Sequence, residues 1–378
     1  MRPSRFELER FFARFEFAVP YLMGSSDCEA PALDELLELE PGAPARLLAL
    51  RLGYSESEGS PELRREIATL YSSSGPDDVV VHGAAVEVIF VFMNAVVEPG
   101  DRVVVQTPCF APLAEIARAI GCAVEPWRAR PEAGWQPDLD ELERLLLRPT
   151  RLVVVNLPHN PTGFLPDPDW FAALVAIAER HGAFLFSDEI FRLLEHDPAR
   201  RLPAACDVSE RAASLGGMSK VFGLGGLRVG WLATRDREIR ERVLGFKDYT
   251  TTCAPIVAEH LAAIALRQRD GLVARNRDRV LDNVRRFAAF CERRSGFIEW
   301  QRPAAGTVAF PECTQLADVD RFCEALAEQA GVLLIPGSTF GMPRHVRVGF
   351  GRAHFAEGLE RLDRFIDRWQ SGAGRNEA

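Results

Sequence analysis

The sequence carries no excess of basic residues: lysine and arginine number 45 against 54 aspartates and glutamates, a formal net charge of −9. That removes the general electrostatic footprint of a nucleic-acid-binding protein. No Cys-x-x-Cys pair occurs and no cysteine clusters with histidine; eight cysteines are scattered from Cys28 to Cys323. Such spacing fits neither a metal site nor a disulfide framework, and free thiols in a reducing cytosol are the simple account. A long apolar run is also missing. The most apolar window, Val79 to Val97, is interrupted by His82, Glu87 and Asn94, so no membrane span is expected. The N-terminus places Glu7 and Glu9 where a secretory signal needs an apolar core, and a cytoplasmic protein is expected. There is no internal repeat, and only the tail after Gln370 reads as frayed.

What remains is 378 residues, enough for a large core and two lobes. From Asp78 to about Leu232, short β-branched runs alternate with longer helical patterns. Asp78–His82, Arg102–Gln106, Leu152–Asn156 and Ala183–Ser187 read as strands, and a further strand is expected within Leu227–Leu232. Ala84–Val97, Pro112–Ile120 and Asp167–His181 read as helices between them. This alternation predicts βαβ units around a mostly parallel sheet, and near-continuous apolar strands predict a sheet covered on both faces. After about Arg279 the pattern changes. A charged helix over Val280–Arg294 precedes Gly306–Phe310, a helix near Val319–Gln329, Val332–Ile335, His345–Phe350 and a last amphipathic helix. The fold class is therefore α/β, with a large domain over residues 46–280 and a smaller α+β domain over 281–378. The N-terminal segment 1–45 is expected to pack with the small domain.

In open α/β sheets ligands bind beyond the carboxyl ends of the strands, so the residues there matter most. Gly83-Ala84-Ala85 opens a helix whose free N–H groups suit an anion, although an ordinary tight turn has the same look. Phe110 follows the second strand, where core packing would also place an aromatic. Asn160-Pro161-Thr162-Gly163 follows the third and is also a plain turn signal. Asp188 ends the fourth strand, where a carboxylate is costly unless paired, or serves as a helix cap. Lys220 lies in Gly216-Gly217-Met218-Ser219-Lys220-Val221-Phe222-Gly223, with Arg228 eight residues on. A lysine desolvated beside another cation can lose its proton and form a Schiff base with an aldehyde. An anion nest, an aromatic face, an amide, a buried carboxylate, a lysine and an arginine at one sheet edge together suit pyridoxal 5′-phosphate.

In the order Tyr54, Gly83-Ala84-Ala85, Phe110, Asn160-Pro-Thr-Gly, Asp188, Ser219-Lys220, Arg228 and Arg347, the chain resembles the fold-type-I pyridoxal-phosphate enzymes of the class I/II aminotransferase family over nearly its whole length. The resemblance implies an aminotransferase acting on an α-amino acid, with a 2-oxo acid as partner substrate, through a Lys220 Schiff base and a quinonoid intermediate. It implies that Asp188 pairs with the pyridine nitrogen, Asn160 bonds the phenolic oxygen and Phe110 stacks on the ring. Gly83, Ala84, Ala85, Ser219 and Arg228 would surround the phosphate, and Arg347 would grip the substrate carboxylate. Tyr54 would reach the neighbouring subunit's phosphate, which implies a homodimer. Two positions depart from the pattern: Phe191 replaces a tyrosine, and Gly217 replaces a hydroxyl residue three before the lysine. Phe191, Lys247-Asp-Tyr-Thr250, Gly306-Thr-Val-Ala-Phe-Pro311 and Pro336-Gly resemble the capreomycidine synthase branch, which implies a lyase or cyclase as the alternative. In Ser25-Ser26-Asp27-Cys28-Glu29, Asp27 or Glu29 could meet a cationic substrate side chain or form a solvated acidic loop.

Overall fold

A computed structural model describes residues 1–372. Seven strands form the large sheet: β1 (Val79–His82), β2 (Arg102–Thr107), β3 (Ala123–Arg128), β4 (Leu152–Asn156), β5 (Phe184–Asp188), β6 (Ala212–Gly217) and β7 (Gly230–Thr234). Their order is β1-β7-β6-β5-β4-β2-β3. Only β7 runs against its neighbours; the other pairings are parallel. This gives β1 the same direction as β6, so the carboxyl ends of β1, β2, β4, β5 and β6 share one edge. The register aligns that edge closely: Asn156 pairs with Asp188, and Gly230 pairs with both His82 and Gly217.

Two strands escaped the sequence pattern. β3 is the sheet edge, carries Pro126 and is mostly not buried, so it lacks an apolar run. β6 reads Ala-Ala-Ser-Leu-Gly-Gly and is buried throughout. Its small residues answer a packing demand: a Cβ at Gly216 would lie 2.4 Å from the Trp231 ring. The β-branched strands expected from sequence are present within a residue or two at either end.

The remaining strands are short: β8 (Ile298–Glu299), β9 (Val308–Ala309), β10 (Glu312–Cys313), β11 (Ile335–Pro336) and β12 (Val346–Gly349). β11-β12-β9 form one sheet and β10-β8 another. The charged helix expected from Val280 begins earlier, running Arg269–Arg293 as one element across residue 280. The N-terminal segment lies on the C-terminal strands. The Leu333 amide donates to Tyr21 and the Gly349 amide to Met23. That contact leaves no room for a side chain at two positions: a Cβ at Gly349 would lie 1.7 Å from the Ser25 carbonyl oxygen, and one at Gly351 2.1 Å from that of Asp27. One apolar cluster joins Leu8, Phe11 and Met23 to Phe287, Phe350 and Phe365.

Candidate active site

Asp188 ends β5 and is 4 % exposed. Its Oδ1 accepts from the Ile190 amide at 3.1 Å, and no cation among the described residues pairs with it directly. Burial, reinforced by neighbouring Glu189, pushes its carboxyl up to about 7, against the Ile190 bond and the field of Lys220. A buried carboxylate in that state is a receptor for a cation or an N–H donor.

The turn after β4 is fastened to this strand end. Asn156 Nδ2 donates to the Asp188 carbonyl at 2.8 Å, while its Oδ1 accepts from the Asn160 amide at 2.7 Å. His159 lies between the Pro108 carbonyl and the Thr162 hydroxyl. A carbonyl can only accept, so Nε2 carries the proton and Nδ1 accepts from Thr162. Burial holds this imidazole's pKa down at about 4, which keeps it neutral. Gly163 completes the turn at φ +70°, where a Cβ would meet Pro303 at 2.3 Å and the Val308 carbonyl at 2.4 Å. The Asn-Pro-Thr-Gly turn thus packs against the segment 303–308 as well as presenting Asn160.

Arg347, from the middle of β12, is 1 % exposed. Its Nε and one terminal nitrogen donate to the Gly24 carbonyl at 3.1 and 2.9 Å, and the other terminal nitrogen donates to Asn160 Oδ1 at 3.3 Å. The rings of Phe12 and Phe340 stand 5.9 and 5.4 Å from the guanidinium carbon. Burial draws its pKa down to about 10, so the group stays cationic at neutral pH.

Lys220 is half-buried, and its Nζ donates to Ser26 Oγ at 3.0 Å. Burial, with Arg347 and Arg228 nearby, lowers its pKa, and Asp27 and Glu9 oppose the shift. A lowered pKa is what an amine nucleophile requires. Asp188, Asn160, Arg347 and Lys220 are therefore brought to one place.

The phosphate end differs. The Gly83 amide donates to the Glu87 carboxylate at 2.6 Å, and Glu87 also accepts from Thr250 and Thr251. An anion already rests on that amide, as the helix start at Ala85 favours. Gly230 lets β7 pass this turn, since a Cβ there would lie 2.5 Å from the Ala85 nitrogen. Ser219 is half-buried. Arg228 is exposed, adopts φ 52° and donates to the Gly225 carbonyl at 3.0 Å. Tyr54 is 95 % exposed. Phe110 meets Phe6 edge-on at 5.4 Å between ring centres.

Both departures have packing reasons. A Cβ at Gly217 would approach Ile190 Cδ1 to 2.9 Å, and Phe191 is fully buried against Gly306, where a Cβ would lie 3.2 Å from its ring. Asp27 and Glu29 are not a solvated loop. Both Asp27 oxygens accept from Arg352, and Glu29 accepts from the Ala353 amide. Sequence reasoning missed Ser26, Gly24 and Phe12, whose roles depend on residues some two to three hundred positions away. It also missed Glu16, a half-buried acid whose pKa is raised by burial and then by Asp27 and Glu9.

The profile of the family described as "Aminotransferase class I and II" matches residues 24–366. The chain belongs to the class I and II aminotransferase family. Capreomycidine synthase of Streptomyces vinaceus is 34 % identical over 93 % of this chain and 91 % of that protein. Among solved structures, a PLP-dependent aminotransferase from Streptococcus suis superposes with a TM-score of 0.92 at 28 % identity, covering 97 % of this chain and 99 % of that one. The PLP-dependent cyclase OrfR superposes with a TM-score of 0.91 at 30 % identity, covering 98 % of each chain. The fold is that of the fold-type-I enzymes, and this aminotransferase-family chain is a pyridoxal-phosphate-dependent transferase. The residues fit that cofactor. Asp188 is a buried carboxyl with no cationic partner among the described residues, and Lys220 is an amine of lowered pKa; at the phosphate end Glu87 would have to release the Gly83 amide.

Proposed function

We propose that this aminotransferase binds its α-amino acid through Arg347 and moves the α-proton with Lys220, and that it passes the amino group on to a 2-oxo acid. The observation that carries this is the hydrogen-bond inventory of Arg347. A guanidinium has five N–H donors, and three are used by Gly24 and Asn160. One N–H remains on each terminal nitrogen, the fork that a carboxylate accepts in bidentate fashion. The Gly24 carbonyl and the Phe12 and Phe340 rings fix the fork's orientation before substrate arrives, so little ordering is left for binding.

When bound, pyridoxal phosphate supplies an electron sink for the bonds to the substrate's α-carbon. Asp188, ionised beside a pyridinium N–H, would keep that proton in place. Asn160 would donate from Nδ2 to the phenolic oxygen, its Oδ1 being turned to Arg347. Lys220 Nζ, its pKa lowered by burial, would take the proton from the α-carbon and return it elsewhere, with Ser26 Oγ steering the amine. The amides of Gly83, Ala84 and Ala85 would receive the phosphate, along with Ser219 and Arg228, and Phe110 would cover the ring.

The same reading takes the protein to be a cytoplasmic homodimer. Leu48, Leu52, Tyr54 and Tyr249 are all more than four-fifths exposed, and the Tyr54 stretch is tied to the Tyr249 turn by Ser57, which donates to Asp248 and Thr252. An apolar face of that kind marks an association surface. Tyr54 on it would then complete the partner's phosphate site.

A specific observation favours a second reading, elimination or cyclisation. Phe191 offers no hydroxyl donor at a position where most of the family has one, and two of the relatives that the chain resembles are named as a synthase and a cyclase. Half-reaction spectroscopy separates the two. An amino acid supplied without an acceptor converts the cofactor stoichiometrically to its amine form under transamination, whereas elimination or cyclisation returns the aldehyde and turns over. Failure of every amino acid to perturb the cofactor spectrum would contradict both.

A further inference from the structure

Outside this site a cavity of about 400 Å³ is lined by Thr69, Leu70, Leu193 and Val273 and by four arginines: Arg192, Arg201, Arg269 and Arg277. Only Asp270 contributes a carboxylate to the same lining. Three parts of the chain build it: the end of the helix Pro61–Ala68, the segment after β5, and the first turns of the helix Arg269–Arg293. On that helix Arg269, Val273 and Arg277 follow at intervals of four, so they share one face. The volume is in the range of a small-ligand site.

The walls are held in place. Arg201 Nε donates to Glu195 at 2.9 Å, and Glu195, itself 1 % exposed, also accepts from the Leu193 amide. Arg192 donates to the Leu70 carbonyl and Arg269 to the Leu266 carbonyl and Thr69 hydroxyl. Two features call for a ligand. Arg192 Nε is buried and makes no hydrogen bond, its nearest carboxylate, Glu189, standing 3.9 Å off. The Arg277 side chain is half-buried and makes no hydrogen bond or ion pair with any described residue. Leu193 also adopts φ 84°, a conformation a bulky side chain avoids unless its surroundings impose it.

We propose that this cavity is a second binding site, for a compact polyanion: a phosphate ester or a polycarboxylate. Four guanidiniums with spare N–H groups match phosphate and carboxylate oxygens in fork geometry. Arg201 is paired with Glu195, but Arg269 and Arg277 have no carboxylate partner among the described residues, and both attract an anion in the cavity. The site is coupled to the chemistry through Arg192, which follows Phe191 and lies four residues from Asp188. It also lines two smaller cavities, one beside Ser187 and Glu189, the other beside Gly216 and Gly217.

The test is calorimetric titration of the cofactor-loaded protein, whose own phosphate position is then filled. Inorganic pyrophosphate and citrate are the two probes, one for each source of the anion. At least one should bind with one site per chain. In Arg277→Glu its affinity should fall at least about tenfold, while the cofactor spectrum stays unchanged. Binding of pyrophosphate alone assigns a phosphate site, and binding of citrate alone a carboxylate site. No saturable binding of either probe, or equal binding by Arg277→Glu and the parent, overturns the proposal. Both readouts are independent of turnover, so they stand whatever the reaction proves to be.

Discussion

The two ends of the active site are built to different degrees. At the carboxyl end of β5, Asp188, Asn160 and Arg347 are nearly or fully buried and tied to one another or to Asn156 and Gly24. At the β1 end, the Gly83 amide holds a neighbouring carboxylate, Arg228 is turned to a backbone carbonyl, and Tyr54 stands in solvent. One end is preorganised within a single chain, and the other is left to be closed by a ligand and, on our reading, by a second chain. Preorganisation serves the end where charge develops, because fixed dipoles there need no rearrangement during reaction.

The sharpest way to break this comparison is to remove the amine. Lys220→Ala should cut turnover by about 10⁴-fold or more and abolish the absorbance of lysine-bound cofactor. Its fold should survive, since Nζ makes a single hydrogen bond, to Ser26. A variant that keeps both band and activity would remove Lys220 from the site.

Next, Arg347→Ala should raise KM for the amino acid by the loss of a desolvated bidentate contact, about 2–5 kcal/mol. Cofactor affinity, titrated in parallel, should change far less. Equal loss of both would make Arg347 a structural tie between Gly24 and Asn160.

Asp188→Asn should lower turnover on the order of 10²–10³-fold, and it carries a pH signature. The folded carboxyl lies near 7 and the unfolded one near 3.8, so between those values the folded state binds more protons. Stability of the cofactor-free protein therefore falls as pH rises through that window, by no more than about 4 kcal/mol. Asp188→Asn should flatten that decline, read as Tm against pH. An unchanged slope would mean that Asp188 is not the group titrating there.

The smallest effect is expected at Phe191. In Phe191→Tyr a hydroxyl beside the cofactor's phenolic oxygen should lower the pH midpoint of the bound cofactor's absorbance. An unmoved midpoint would make Phe191 a packing residue against Gly306 and no more.

The same contrast governs what the sequence made legible. β2, β4 and β5 announce themselves because strands buried on both faces are Val- and Phe-rich, and β6 does not because its neighbour Trp231 demands glycine. The motif residues Asn160, Asp188 and Lys220 stand beside recognisable turns. Gly24, which orients Arg347, and Ser26, which meets Lys220, have no local pattern. They matter only because Gly349 and Gly351 allow their segment to lie against β12. The sequence leaves Asp27 open to a substrate or to solvent, whereas Arg352, 325 positions away, holds it in the fold.

The most direct test of the comparison uses two defective chains. Lys220→Ala and Tyr54→Ala should each be weakly active or inactive alone, the second through loss of cofactor affinity. Mixed and allowed to exchange subunits, they should form hybrid dimers in which one site has both Lys220 and the partner's intact Tyr54. Statistical exchange makes about half the dimers hybrid, so activity should return to roughly a quarter of the parent's, with tight cofactor binding restored at that site. Activity no higher than the sum of the unmixed variants would contradict the account, because it would mean that the open end of the site is not closed across the interface.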